Sequence, residues 1–215
     1  MELSITLIII IITAAVSFGG FSSEKIINEL IFYPPAVNEG RQWYRFISCG
    51  LIHADIGHLL FNMYALYIFG IHVENGFIVI FGNYGKIVYL VMYITALIAC
   101  LMPTYAKHKN DHNYRSLGAS GAVSAVIFAF IFLYPLQKMG LIFIPVMVPG
   151  FIFGFLYLIV STILEKRAGG NVNHSAHIWG ALYGIGFLIA ACYVLSGYPV
   201  ISGFIEQVKS YLGSF

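Results

Sequence analysis

Ser120, in the segment Gly118-Ala119-Ser120-Gly121-Ala122, and His177, in Ser175-Ala176-His177-Ile178-Trp179-Gly180, each stand where a long apolar stretch begins. A serine hydroxyl becomes a nucleophile only with a base in reach, and imidazole is the side chain that titrates near neutral pH. The pair points to acyl transfer, in which His177 takes the Ser120 proton, an acyl-enzyme forms and water releases it. His58 and Asn62 open another apolar stretch; four residues apart, they share one helical face and can both donate hydrogen bonds to a tetrahedral oxyanion. The N–H of Ser120, at a helix start and lacking an intrahelical acceptor, is a third donor. Gly118 and Gly121 leave room for a substrate backbone.

Each of these residues has a plainer reading when taken alone. A serine in an apolar helix usually bonds its own backbone, a histidine is often a packed core residue, and an asparagine can simply glue helices together. Their joint placement favours chemistry, because polar side chains in hydrocarbon are costly unless paired.

The elements that must position them are membrane helices. Sixty per cent of the 215 residues are hydrophobic and 9% are charged, which no ordinary water-soluble domain of this length shows. Six apolar runs suit spans, at residues 3–21, 57–71, 87–105, 117–136, 141–164 and 176–195. They are continuous rather than alternating, so the expected fold is an all-α membrane protein of six transmembrane helices in one domain, not a barrel. The first run lacks a basic side chain before it and an obvious cleavage site after it, and is read as a retained helix. A net charge of +2 with scattered basic residues argues against nucleic acid as a partner. Cys49, Cys100 and Cys192 fit neither a disulfide framework nor a metal-ligand spacing and read as small packing residues.

With six spans, the second, fourth and sixth enter from one side, which brings His58, Asn62, Ser120 and His177 to a shared depth. Gly180 and Gly184 follow His177 on its own helical face and, with Ala181, form a small-residue stripe that lets the fourth and sixth helices approach closely. Residues 22–56 form a first connection whose Trp43, Tyr44 and Phe46, beside Arg41 and Arg45, suit the membrane interface, where aromatic rings settle and cations snorkel. The segment around residues 135–140 reads as a tight turn. The fifth connection, residues 165–173, centres on Gly169-Gly170 and is expected to be mobile. Residues 203–215 carry Phe204, Ile205, Val208, Tyr211, Leu212 and Phe215 at helical intervals, the pattern of a surface helix. His72, His108, His112 and His174 fall at span ends or in polar loops; only His174 competes with His177 as base.

From Trp43 to about Gly184 the chain resembles the rhomboid intramembrane serine proteases of six-span bacterial form. The resemblance rests on Trp43-Tyr44-Arg45-Phe46, His53, His58-Leu59-Leu60-Phe61-Asn62, Gly118-Ala119-Ser120-Gly121 and Ala176-His177-Ile178-Trp179-Gly180, in the family's order. It implies Ser120 as nucleophile, His177 as general base and an oxyanion hole of His58, Asn62 and the Ser120 N–H. It also implies transmembrane substrates that enter between the second and fifth helices beneath a cap formed by the fifth connection. No Asp or Glu lies in a span near His177, so a dyad is expected, with no metal or cofactor. Rhomboids often carry an aromatic residue four positions after the nucleophile, packed on the catalytic histidine. This chain has Ser124 there, leaving Phe128 or Trp179 to orient His177.

Basic residues are concentrated in the first, third and fifth connections (Lys25, Arg41, Arg45, Lys107, Lys109, Arg115, Lys166 and Arg167, against Lys86, Lys138 and Lys209 opposite), which by the positive-inside rule places the catalytic side in the cytoplasm. The resemblance implies the reverse, a plasma (inner) membrane protein with its site facing outward, and it is the reading followed. The rival function is a non-proteolytic membrane protein that binds transmembrane helices. A proton or solute path through His58 and His177 is disfavoured because no intramembrane carboxylate accompanies them.

Overall fold

The computed structural model describes residues 4–140, 146–166 and 173–214. Gly169-Gly170, the start of the 141–164 run, Leu3, Arg167 and Phe215 lie outside the described residues. In chain order the helices are α1 (Ile5–Phe21), α2 (Glu24–Leu30), α3 (Pro34–Asn38), α4 (Arg45–Ser48), α5 (Ile56–Phe81), α6 (Gly85–Ala99), α7 (Met102–His108), α8 (Ser120–Leu133), α9 (Gly150–Lys166), α10 (His174–Ala191) and α11 (Val200–Leu212). A two-residue antiparallel pair, β1 (Lys138–Met139) with β2 (Val148–Pro149), sits between α8 and α9. The joined stretch Ile56–His108, which takes in α5, α6 and α7 with the short turns between them, and the stretch His174–Ser196 are each long and apolar enough to cross a membrane; α1 and α8 are shorter apolar helices.

The bounds of several helices differ from the apolar runs for local reasons. α8 starts at Ser120, because Gly118 has φ of 111°, a conformation L side chains rarely adopt. It ends at Leu133, because Tyr134 precedes Pro135 and is driven out of the helical region, to φ −131° and ψ 61°. α6 stops at Ala99 and α7 restarts at Met102, where Pro103 is tolerated in a first turn. α9 begins at Gly150, since β1 and β2 hold the backbone on either side of the connection that the sequence assigned partly to the fifth span.

α5 runs beyond the uninterrupted apolar run that ends at residue 71, through the apolar pattern that resumes after Glu74 from Phe77 to Phe81, and so carries His72 and Glu74 within one helix. Glu74 is 3% exposed. It accepts hydrogen bonds from the Ile5 and Thr6 N–H groups, both at 2.9 Å, and from the Ser4 and Thr6 hydroxyls at 2.7 and 2.8 Å. A carboxylate at a helix N-terminus satisfies orphan donors and meets the positive end of the helix dipole, so Glu74 closes the start of α1.

The first connection is folded, with α2, α3 and α4 inside it. Trp43 and Tyr44 are exposed, as interface anchors would be, but Arg45 does not snorkel. It is 6% exposed and donates from Nη1 to the carbonyls of Asn28 and Ile31, at 2.9 and 2.8 Å, and from Nε to Gln42 at 2.6 Å. Ser48 Oγ donates to the Leu30 carbonyl, and Phe32 pairs with Ser116 through two backbone bonds of 3.0 and 3.1 Å. Phe32, Val37, Phe46, Cys49, Cys100, Leu101 and Ala176 then form a small core under the connection, tying it to the ends of α6 and α10.

His53 joins this connection to α1 and to the turn before α8. Its ring is fully buried, with Nδ1 3.0 Å from Ser17 Oγ. Since Ser17 gives its own proton to the Leu51 carbonyl at 2.9 Å, Nδ1–H is the donor in this contact and Nε2 is left to face the Ala119 N–H at 3.5 Å. Burial, and then the neighbouring His58, push the His53 pKa down to about 4.

α8 lies at the centre, packed against α5, α6 and α10, and is buried along most of its length. Its contact with α10 is the most extensive between helices among the described residues. Here the backbones touch: a Cβ on Gly180 would overlap the Gly121 carbonyl, and one on Gly184 would overlap the Ala125 carbonyl. Cys100 fills the space against Gly121, and all three cysteines are buried and free. α11 is amphipathic and docks on the end of α8 by stacking Phe204 on Phe132 at 4.5 Å.

Three stability predictions follow from these contacts. Glu74→Gln removes a charged acceptor from four donors and is expected to cost about 2 kcal/mol, read as a lower unfolding midpoint in detergent. Gly180→Val forces α10 off α8 and should destabilise by about 3 kcal/mol or more, whereas Gly186→Ala, with no atom within 4 Å of the new methyl, should not. The His53 contribution to stability is present above the unfolded pKa of 6.5 and is lost as pH falls towards about 4, because the unfolded chain takes up a proton that the fold disfavours. Thermal melts across that window should show a steeper acid decline for the wild type than for His53→Gln.

Candidate active site

Three helix starts meet at one point: α5 at Ile56, α8 at Ser120 and α10 at His174. α5 is capped by Asp55, whose Oδ1 accepts the His58 N–H at 2.8 Å. α10 is capped twice. Asn173 Oδ1 accepts from Ala176 N–H at 3.0 Å while its amide donates to Thr104 of α7 at 3.1 Å, and Glu165 at the end of α9 accepts from Ser175 N–H at 2.9 Å. These caps set the height and rotation of α10, and so of His177 one turn in.

Ser120 Oγ lies 2.7 Å from His177 Nε2. The two are 57 residues apart in sequence, and the Gly180–Gly121 approach brings them together. With Nε2 accepting the hydroxyl proton, Nδ1 carries the ring hydrogen, the tautomer a general base for Ser120 requires. Among the described residues no carboxylate is bonded to His177. His174 packs edge-on against it, rings 5.8 Å apart.

His58 projects over the turn that precedes Ser120. A Cβ on Gly118 would come within 2.7 Å of the His58 ring, so glycine is needed both for the positive φ and for this contact. Asn62, one turn on, is 3% exposed and gives one amide hydrogen to the His58 carbonyl at 3.0 Å, which leaves its second N–H. The Ser120, Gly121 and Ala122 N–H groups lie in the first turn of α8, before its first intrahelical acceptor, with Val123 N–H the first to bond back, to Ala119. Ser120, His177 and His58 are each half-buried.

Neither residue expected to orient His177 does so. Trp179 is 47% exposed, and Phe128 packs on Tyr157, with ring centroids 5.5 Å apart, rather than on the imidazole. The ring facing His177 is Tyr157 of α9, at 6.5 Å with an interplanar angle of 33°, and its hydroxyl lies 2.9 Å from Ser124 Oγ. Tyr157 is the one tyrosine in the 141–164 run, which was the only sequence signal it gave. Nothing in sequence spacing connected Glu165 to α10 or gave His53 its place against Ala119.

The rhomboid domain family model matches residues 40–194 of the chain. Mitochondrial RHOMBOID-like protein 12 of Arabidopsis thaliana is 30% identical over 171 residues, covering 75% of this chain and 50% of that protein. Rhomboid-related protein 1 of Caenorhabditis elegans is 31% identical over 182 residues, 82% of this chain and 46% of that protein. Rhomboid protease GlpG of Haemophilus influenzae is 28% identical over 166 residues, 75% of this chain and 77% of that protein. The chain thus spans about half the length of some of the curated relatives it matches. The family match takes in α5 to α10 and every residue of the Ser120–His177 cluster, and the chain belongs to the rhomboid family of helical membrane proteins.

Proposed function

We propose that this protein is an intramembrane serine endopeptidase that cleaves single-span transmembrane proteins near the membrane surface. The observation that carries the reading is the 2.7 Å contact between Ser120 Oγ and His177 Nε2, at the centre of a family that includes a relative named as a protease. Ser120 attacks the scissile carbonyl as His177 takes its proton. His177 then protonates the leaving amine, and water deacylates Ser120 with His177 again as base. The His58 ring, the second N–H of Asn62 and the Ser120 N–H serve the oxyanion. The scheme calls for no metal or cofactor.

In this reading α1, α5, α6, α8, α9 and α10 are the six spans of a single domain. α8, with 14 residues, is roughly 21 Å long, less than the ~30 Å hydrocarbon core. Ser120 therefore sits recessed below the surface, in a site that opens to water on the side from which α5, α8 and α10 all start. That side faces out of the cytoplasm across the plasma membrane. The substrate helix enters between α5 and α9. Among the described residues α9 packs on α8 and α10 with no comparable contact to α5. Both helices carry large exposed apolar side chains, such as Phe61 and Tyr64 on α5 and Phe155 and Val160 on α9, suited to lipid or to an apolar substrate helix.

Purified protein in liposomes is expected to cleave a single-span reporter and to be labelled at Ser120 by a fluorophosphonate. Ser120→Ala and His177→Ala should each lower cleavage about a thousandfold or more while leaving the melting profile intact. His174→Ala should retain activity. Wild-type cleavage by Ser120→Ala would refute the assignment.

A further inference from the structure

Resting on the Ser120–His177 reading, we propose that Tyr157, held by Ser124, is the positioning residue for His177, supplied from α9 rather than from the helix that carries the nucleophile. Ser124 is one helical turn beyond Ser120 and lies on the same face of α8. It is 3% exposed, and its hydroxyl meets the Tyr157 phenol at 2.9 Å. Ser161, one turn on along α9 and also buried, is a second hydrogen-bonding neighbour of the phenol, so the Tyr157 hydroxyl is held between α8 and its own helix. Phe128 closes one side of that ring at 5.5 Å, and Phe153, one turn before Tyr157 on α9, stacks beside it at 6.5 Å.

The ring so fixed faces the His177 imidazole with centroids 6.5 Å apart and planes tilted by 33°. The bond to Ser120 Oγ holds only one end of the imidazole, and rotation about the bond to the ring has a broad, soft profile. Tyr157, facing the imidazole, limits that rotation. A large aromatic at position 124 would compete with Tyr157 for this space, so the small hydroxyl there and the phenol on α9 work as one unit. The orientation of the base thereby depends on how α9 is seated against α8 and α10.

The test is saturable inactivation of the full chain in liposomes by a fluorescent fluorophosphonate, with the rate at saturation separated from the half-saturating concentration. Tyr157→Leu is expected to lower the saturating rate about tenfold with the half-saturating concentration unchanged. Tyr157→Phe, which keeps the ring, should recover most of that loss. Ser124→Ala should cost no more than Tyr157→Phe, which also gives up the contact to Ser161, and the double variant should be no slower than Tyr157→Phe alone, since the Ser124–Tyr157 bond is already gone there. A Tyr157→Leu protein labelled at the wild-type rate overturns the proposal, as does a loss confined to the half-saturating concentration, or a Phe variant no better than Leu. If the wild type itself shows no Ser120-dependent labelling, the dyad reading fails and this role falls with it.

Discussion

The backbone contact between α8 and α10 is the constraint on which the site depends. Gly180 against Gly121 and Gly184 against Ala125 let two helices approach until main chain meets main chain, a spacing no larger side chain permits. At that spacing one turn of α10 carries His177 to Ser120. The Ser120–His177 contact is thus a by-product of packing geometry, and no carboxylate among the described residues is bonded to the imidazole. In an apolar medium such a contact is stabilised by dispersion and by the absence of alternative partners for the two polar groups.

Polar groups elsewhere secure the frame around this contact. Glu74 closes the N-terminus of α1 on α5, Arg45 gathers the carbonyls of the first connection, and His53 ties α1 and that connection to the turn before Ser120. Each is a strongly polar side chain almost wholly removed from solvent, and each faces backbone groups that would otherwise be orphaned. Of the three only His53 reaches the turn before α8, while apolar contact along the length of α8 sets its distances to α5, α6 and α10.

α9 stands apart from this frame. It lies beside α8 and α10 without extensive contact to α5, yet it carries Glu165, which caps α10, and Tyr157, which faces His177. α9 thus supplies both a cap of α10 and the ring that faces His177. Its neighbour α10 is otherwise held by glycine packing, which fixes distance along the helix pair but says little about the imidazole's rotation.

The residues with chemistry were legible in the sequence because hydrophobicity and polarity are local properties. A Ser, a His and a His/Asn pair at the heads of apolar runs identify themselves, and alternation of direction places them on one side. The small-residue stripe after His177 likewise announced a close helix contact. The helix ends were less legible, since a run of apolar residues does not show that Gly118 needs a positive φ or that Glu74 can be carried inside α5 by the donors at the start of α1. What orients His177 could not be read at all. Ser124 and Tyr157 are separated by 33 residues in sequence and meet only because α8, α9 and α10 pack together. The sequence by itself determined which polar side chains stand at the heads of apolar helices; tertiary structure alone decided which partners hold them, because a side-chain contact between helices depends on their relative rotation and height, and no local pattern encodes those.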